Sequence, residues 1–419
     1  MSDLDCLLQK GAAMKLGVVF QAGSMGARRY SCRLIEGLLD ADSTVRVVLL
    51  VPADAGTEME EFAAASHSRV EVNRFHAPAT LSSIRWVRLL QKRFLRSVGR
   101  ETAGRDLGLL NQCDVLFYPW PYGITPPEVS RPLVFIPHDL TYTRNFGSGT
   151  ICTTGGYVWQ RELHRQWLQR ASCIVSAQYT QSEIHRVFGS EHRVSVIPLS
   201  RFTPCGRLPE SEAADRVRRL GISGRYVLCI NNLSPHKNLS QLLAGFALLK
   251  QALSDVKLVL VGYESDRVQG RADMTTGLAL EEHLAAADVI GLGVVDDRDL
   301  VGLLQQAALL INPSLSEGNN GPGLDAWDIG TPVAMSEIPP FREHVEFLGI
   351  RAEMFDPRNA TDICRAMRVL LANPELAAEM AEESRQAFQR YTWKTVATEY
   401  LQVFRGAAGG EKTLALRRL

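Results

Sequence analysis

At 419 residues the chain is long enough for two domains, and 46% apolar with 22% charged residues is the composition of an ordinary globular protein. Basic and acidic residues balance at 46 each, which excludes the global positive field that a nucleic-acid partner would need. Eight scattered cysteines form no Cys-x-x-Cys pair and no His/Cys cluster at metal spacing, so reduced thiols in a cytoplasmic setting are expected.

Residues 1–13 carry acids where an export signal needs bases, and no apolar run is long enough to span a bilayer. They read as a leader. Short apolar runs then recur at 16–20, 45–51, 115–118, 133–136, 173–176 and 194–197, with helical patterns between them. Runs of this kind suit parallel strands buried on both faces, and their alternation with helices predicts a doubly wound α/β domain over 14–200. The stretch PLSRFTPCG at 198–206 has neither period and reads as a hinge. A second set of runs at 226–230, 257–261, 289–292, 308–312 and 332–335 predicts another such domain over 201–390. A helix over 391–406 and a flexible tail over 407–419 complete the chain. Ligands of doubly wound sheets bind beyond the carboxyl ends of the strands, so two facing domains would place a site in the cleft between them.

Four segments carry candidate chemistry. After the first strand, QAGSMGARRY holds Gly23 and Gly26, which permit close backbone approach without completing a Gly-x-Gly-x-x-Gly loop; a plain strand-to-helix turn explains them as well. In PHDL, His138 follows a strand, where an imidazole either satisfies buried neighbours or faces a ligand. In INNLSPHKNL, Lys237 stands at a loop-to-helix junction, as a solvated charge or as a point charge for phosphate. In SLSEGNNGPGLDAWDIGTPV, Glu317 and Asp325 flank a Gly/Asn/Pro run that leads into a helix. Helix N-termini favour anions, and two acids beside an anion site make sense if they hold hydroxyls. That combination of needs fits a nucleotide sugar, although a surface acid and a helix cap would leave the same trace.

The segment PSLSEGNNGPGLDAWDIGTPVAMSEIPPFREH resembles the Glu-x7-Glu region of retaining glycosyltransferases of family four. SPHKNLSQLLAGFALL resembles the Pro-Arg-Lys-Asn helix of that family, and IPHDLTY its His-Asp-Leu segment. SCIVSAQYTQSEIHRVFG, MFDPRNATDICRAMRVLLANPE and YTWKTVATEYLQVF match further family segments in the right order, from residue 14 to 404. The resemblance implies the GT-B fold, two Rossmann-like domains around a central cleft, with the acceptor on the first domain and the donor on the second.

It also implies roles. Glu317 matches the acid that contacts hydroxyls of the donor sugar, and Asp325 the one that binds the ribose. Asn319, Asn320 and Gly321 occupy the diphosphate-facing loop, Lys237 the phosphate-binding lysine, His138 the histidine that reaches the transferring sugar, and Gly23 and Gly26 the glycine loop. His138, Glu317 and Lys237 are thus the expected catalytic set, with no metal and no cofactor beyond the nucleoside diphosphate sugar itself. The chain departs from the pattern at Asn232, where many members have arginine, and at Asp325, one methylene shorter than glutamate. A mannosyl-type transfer to a glycan or lipid-linked acceptor is the first expectation, with an epimerase or hydrolase on the same fold, or a silent binding subunit, as rivals.

Asp297-Arg298-Asp299 spells the Asp-x-Asp of metal-dependent transferases of another fold, but it opens an apolar-periodic helix that Asp296 or Asp297 can cap. Over 84–96, Ile84, Val87, Leu90 and Phe94 share one helical stripe while Arg85, Arg88, Lys92 and Arg96 share another. This segment reads either as a solvated helix or as a contact with an anionic membrane surface, which would make the protein peripheral.

Overall fold

The structure is a computed structural model that describes residues 13–20, 25–53, 57–65, 68–75, 108–143, 154–268, 284 and 287–410. Gly23, the 84–96 segment, most of the expected leader and residues 411–419 lie outside the described residues.

Two sheets, parallel throughout, form the frame. The first comprises β1 (Met14–Val19), β2 (Val45–Pro52), β3 (Val70–Phe75), β4 (Val115–Tyr118), β5 (Leu133–Phe135), β6 (Ala171–Val175) and β7 (Val194–Val196), in the order β3-β2-β1-β4-β5-β6-β7. The second comprises β8 (Tyr226–Ile230), β9 (Lys257–Val261), β10 (Val289–Gly291), β11 (Leu309–Asn312), β12 (Val333–Ser336) and β13 (Glu353–Phe355), in the order β10-β9-β8-β11-β12-β13. Continuous apolar runs make the central strands: every residue of β4 and β11 is buried, as helices on both faces require. Each sheet reverses its strand order once, between β1 and β4 and between β8 and β11. Such reversals open crevices at the carboxyl ends of the strands.

Two strands escape the apolar-run criterion. In β3, VEVNRF, Glu71 and Arg74 are exposed because the strand is the edge of its sheet, and an edge strand alternates instead of running apolar. At the opposite edge of the second sheet, β13 is only three residues long, with a single buried side chain, Phe355.

The chain from 198 to 209 joins the two halves. The helix Trp393–Ala408 returns to the first half and packs along the helix Met25–Ala41. Its apolar stripe, Val396, Ala397, Tyr400, Leu401, Val403 and Phe404, is buried. The Tyr400 and Tyr30 hydroxyls meet at 2.9 Å, so neither phenol is left unpaired in the core. Near the helix start, Ser200 donates to the Tyr391 carbonyl at 2.9 Å and Tyr391 to the Pro198 carbonyl at 2.9 Å. The hinge is therefore sewn to the crossing helix. Residues 407 and 408, read as tail from sequence, complete this helix.

One large core unites residues of both sheets with this helix. Phe404, packed against Phe117 and Tyr400, is wholly buried. Phe404→Ala is expected to cost about 3–5 kcal/mol, the range for emptying a buried aromatic site. Denaturant unfolding of the variant against wild type measures it, and a cost near zero would mean that the helix does not depend on this seat.

Candidate active site

The loops that leave β8 and β11 converge at the reversal of the second sheet. After β8, Pro235–Lys237 makes one turn of 3-10 helix, and Asn238 takes a left-handed conformation (φ 60°) before the helix Leu239–Ala252 begins. Asparagine tolerates that conformation better than most residues, and here its amide also donates to Pro313 O at 3.0 Å and Pro357 O at 2.6 Å. Leu315 N donates to His236 O at 2.7 Å. These bonds lock the β8 loop to the β11 loop, and they bring Lys237 Nζ within 2.5 Å of Glu317 Oε1. Lys237 and Glu317, 80 positions apart in sequence, thus form one mostly buried ion pair. Burial depresses the pKa of the adjacent His236, with Glu317 opposing that effect.

Asn320 caps the helix Gly321–Ile329. Its Oδ1 accepts from Gly323 N at 3.1 Å and from Asn312 Nδ2 at 2.9 Å, and its side chain is wholly enclosed. The Asn320 amide donates to Asn319 Oδ1 at 2.8 Å. An anion at this helix end would therefore meet the Asn319 side chain first. Gly321 lies under the Phe202 ring, which a Cβ at 321 would meet at 2.6 Å.

Asp325 lies in the same helix and is buried. Its Oδ1 accepts from Phe202 N at 2.7 Å, Thr203 N at 2.9 Å and Thr203 Oγ1 at 3.2 Å. One carboxylate oxygen thus fixes the hinge. Burial raises the Asp325 pKa from its ordinary value to about 6, against these hydrogen bonds and the nearby Arg29. Asn232 serves its own loop, accepting from Ser234 N at 3.1 Å.

The first half supplies His138, beyond β5. Its Nε2 lies 2.7 Å from Pro119 O, its ring stacks on Trp120 with centroids 4.1 Å apart, and the Tyr30 ring meets it edge-on at 5.2 Å. Burial lowers its pKa to about 4. Gly26 is the second residue of the helix Met25–Ala41, and a Cβ there would meet nothing within 4 Å.

The halves touch on both flanks of this region. A Cβ at Gly318 would stand 1.6 Å from His138 O, so no larger residue fits there without parting the halves. Ser176 Oγ donates to Gly318 O at 2.7 Å. Glu343 reaches across to cap the helix Gln178–Phe188, accepting from Gln178 N at 2.6 Å and Tyr179 N at 2.7 Å. On the other flank, Arg29 Nε donates to Asp297 Oδ1 at 2.6 Å. Asp296, one residue earlier, caps its helix by accepting from Asp299 N at 2.7 Å. Arg29, Ser176, Phe202 and Glu343 were not singled out from sequence, because each acts on a residue more than 100 positions away and leaves no local pattern.

This geometry can be compared with known proteins. Residues 213–387 match the family "Glycosyl transferases group 1". The match lies in the second half of the chain. The serotype-specific mannosyltransferase WbdA of Escherichia coli is 25% identical over 189 residues, which is 44% of this chain and 23% of WbdA. The phosphatidyl-myo-inositol mannosyltransferase of Mycobacterium leprae is 27% identical over 187 residues, 44% of this chain and 47% of that protein. The chain thus spans less than half the length of these relatives. Over the described residues the fold is GT-B. It superimposes on Anabaena HepE, crystallised with UDP and glucose, with a TM-score of 0.68 at 19% identity, covering 94% of this chain and all of HepE. It also superimposes on WaaG, a glycosyltransferase involved in lipopolysaccharide biosynthesis, with a TM-score of 0.67 at 13% identity, covering 93% and 100%.

The buried Asp325 gives a test of the electrostatics. A carboxyl whose folded pKa is raised binds its proton more readily in the folded state, so its stabilising contribution is present at low pH and lost as pH rises through about 6. Asp325→Asn retains an oxygen for the three hinge donors and removes the charge. The variant is expected to exceed wild type in stability at pH 8, by on the order of 1–3 kcal/mol, with the gap closing toward pH 4. Unfolding curves at several pH values check it; a gap independent of pH would show that Asp325 is not held as a costly buried charge.

Proposed function

We propose that the chain transfers a sugar from a nucleoside diphosphate donor to an acceptor hydroxyl, with retention at the anomeric carbon. The observation that carries this reading is the Lys237–Glu317 pair at the β8/β11 reversal, with His138 brought to the same domain junction. A diphosphate offers Lys237 more negative charge than one carboxylate does, so an arriving donor competes for the ammonium. Glu317, released from the pair, can accept hydrogen bonds from sugar hydroxyls. As the anomeric bond breaks, charge concentrates on the departing phosphates, and a fixed cation that meets that charge lowers the barrier. The Asn238 clamp holds the loop that carries Lys237, so only the exchange of Glu317 for phosphate is needed.

Asp325 is the proposed partner of the ribose hydroxyls. In this chain it also holds the hinge amides, so donor binding and hinge position share one carboxylate. Asn232, Asn319, Asn320 and Gly321 are the proposed diphosphate end, with Gly26 the proposed contribution of the first half. Mannose as the transferred sugar is supported by the names of the two relatives above, and a lipid-linked acceptor by the name of the second; a glycan acceptor is the alternative. The step is proposed to need no metal ion, because Lys237, with the Gly321 amide, provides charge that a metal would otherwise supply.

The test is a transfer assay with GDP- and UDP-sugars and glycan or lipid-linked acceptors. Lys237→Ala is expected to lower turnover roughly 10²-fold or more with the fold intact by circular dichroism. Excess EDTA should leave wild-type turnover unchanged. Near-normal turnover in the variant removes the assigned role of Lys237, while loss with EDTA and rescue by magnesium or manganese removes the metal-free step. Release of free sugar without any acceptor product would favour a hydrolase instead.

A further inference from the structure

His138 is held on three sides by groups that the first half contributes. The Pro119 carbonyl can only accept a hydrogen bond, so at 2.7 Å the His138 Nε2 must carry the proton. A neutral imidazole protonated at Nε2 presents Nδ1 as its one acceptor. The plane of the ring is set by Trp120, tilted over it with centroids 4.1 Å apart and 36° between the planes, and by the edge of Tyr30 at 5.2 Å and 89°. Trp120 is itself braced by Tyr122, with ring centroids 5.3 Å apart. Pro119 and Trp120 are adjacent and directly follow β4, next to β5 in the sheet, so one corner of backbone supplies both the hydrogen-bond acceptor and the stacking surface.

We infer that Trp120 is a positioning residue: with the Pro119 carbonyl it fixes His138 in the Nε2-protonated tautomer and offers Nδ1 to a hydroxyl of the transferring sugar. The inference rests on the transfer reading for its last clause, while the tautomer stands on geometry alone. Trp120 acts in two ways. Its indole face excludes water from one side of the imidazole, which disfavours the cation. It also blocks the ring rotation that would exchange Nε2 and Nδ1. Among the described residues, the ionisable groups that face His138 are Asp139 on its own loop, which favours the cation, and the Tyr30 phenol from the first helix. Across the domain junction, Gly318 brings backbone only. His138 therefore behaves as a neutral hydrogen-bond acceptor at neutral pH. It does not serve as a cation for the phosphates.

The test uses the full chain with nitrogen-15 histidine and compares wild type, Trp120→Ala and Trp120→Phe. In wild type, the His138 ring is expected to show protonated Nε2 and bare Nδ1 from pH 5 to 8, with a midpoint near 4. Trp120→Ala is expected to move that midpoint upward toward the ordinary 6.5 and to mix the tautomers. It should also lower kcat about 10- to 100-fold with a much smaller change in the donor KM. Trp120→Phe keeps an aromatic face and is expected to restore the tautomer and most of kcat. An unchanged midpoint and tautomer in a folded Trp120→Ala variant overturns the inference, as does a wild-type ring protonated at Nδ1. If the ring titrates as described in a protein that transfers no sugar, the transfer reading fails and the sugar contact with it, while the assigned tautomer is retained.

Discussion

The arrangement of the molecule depends on a contact that only a residue without a side chain can make. Gly318 brings the β11 loop against the His138 carbonyl, and Ser176 closes on the Gly318 carbonyl from the end of β6. This meeting point joins the β11 loop to the loop that carries His138. Any Cβ at 318 would overlap the His138 oxygen, which would push the halves apart next to the Lys237–Glu317 pair. The Glu343 cap on the helix Gln178–Phe188 is built on the same flank. A carboxylate at a helix N-terminus satisfies orphan amides and meets the positive end of the helix dipole. Here the helix and its cap come from opposite halves, so a local interaction has become a fastening between domains.

Around this contact, ionisable groups are placed where burial and partners work against each other. Lys237 and Glu317 compensate one another in a mostly buried pair. Asp325 is buried among donors, yet its proton is held more tightly than in water because desolvation outweighs three hydrogen bonds. His138 is kept neutral by the same desolvation. Glu343 is pushed up as well, although it accepts two backbone amides. Groups in this condition favour ligands that return what burial removed, such as phosphate charge for a lysine or hydroxyl donors for a carboxylate and an imidazole. Perturbed groups gathered at a sheet reversal are a physical marker of a functional site. The crossing helix Trp393–Ala408 and the hinge hold the two reversals together, since the core of the first half is completed by residues from the end of the chain.

Much of this was legible along the chain because the relevant forces are local. Continuous apolar runs announced the interior strands, since a strand covered on both faces has no solvent side to alternate with. The Gly/Asn/Pro run after Glu317 announced a loop, and Leu324 onward a helix; the helix in fact begins at Gly321, because Asn320 caps it and Pro322 suits its first turn. A cap by Asp296 or Asp297 was readable as well, and Asp296 is the one that caps. Two edge strands were not readable: β3 carries exposed Glu71 and Arg74, and β13 is too short for a pattern, whereas the edge strands β7 and β10 kept enough apolar residues to be read.

By itself, then, the sequence determined the two-domain parallel α/β architecture, the hinge between the halves and the loops that carry Lys237, Glu317, Asp325 and His138, because backbone geometry and apolar periodicity act over a few residues. Tertiary structure alone decided what those residues meet. It gave Lys237 to Glu317 across 80 positions, turned Asp325 toward the hinge amides and set Trp120 on the face of His138. It also assigned Arg29 to Asp297 and Glu343 to a helix of the opposite half. Partners so distant in sequence are selected by packing of whole elements, and the burial that shifts the charges of Asp325 and His138 arises only when the two halves close on each other and on the returning helix.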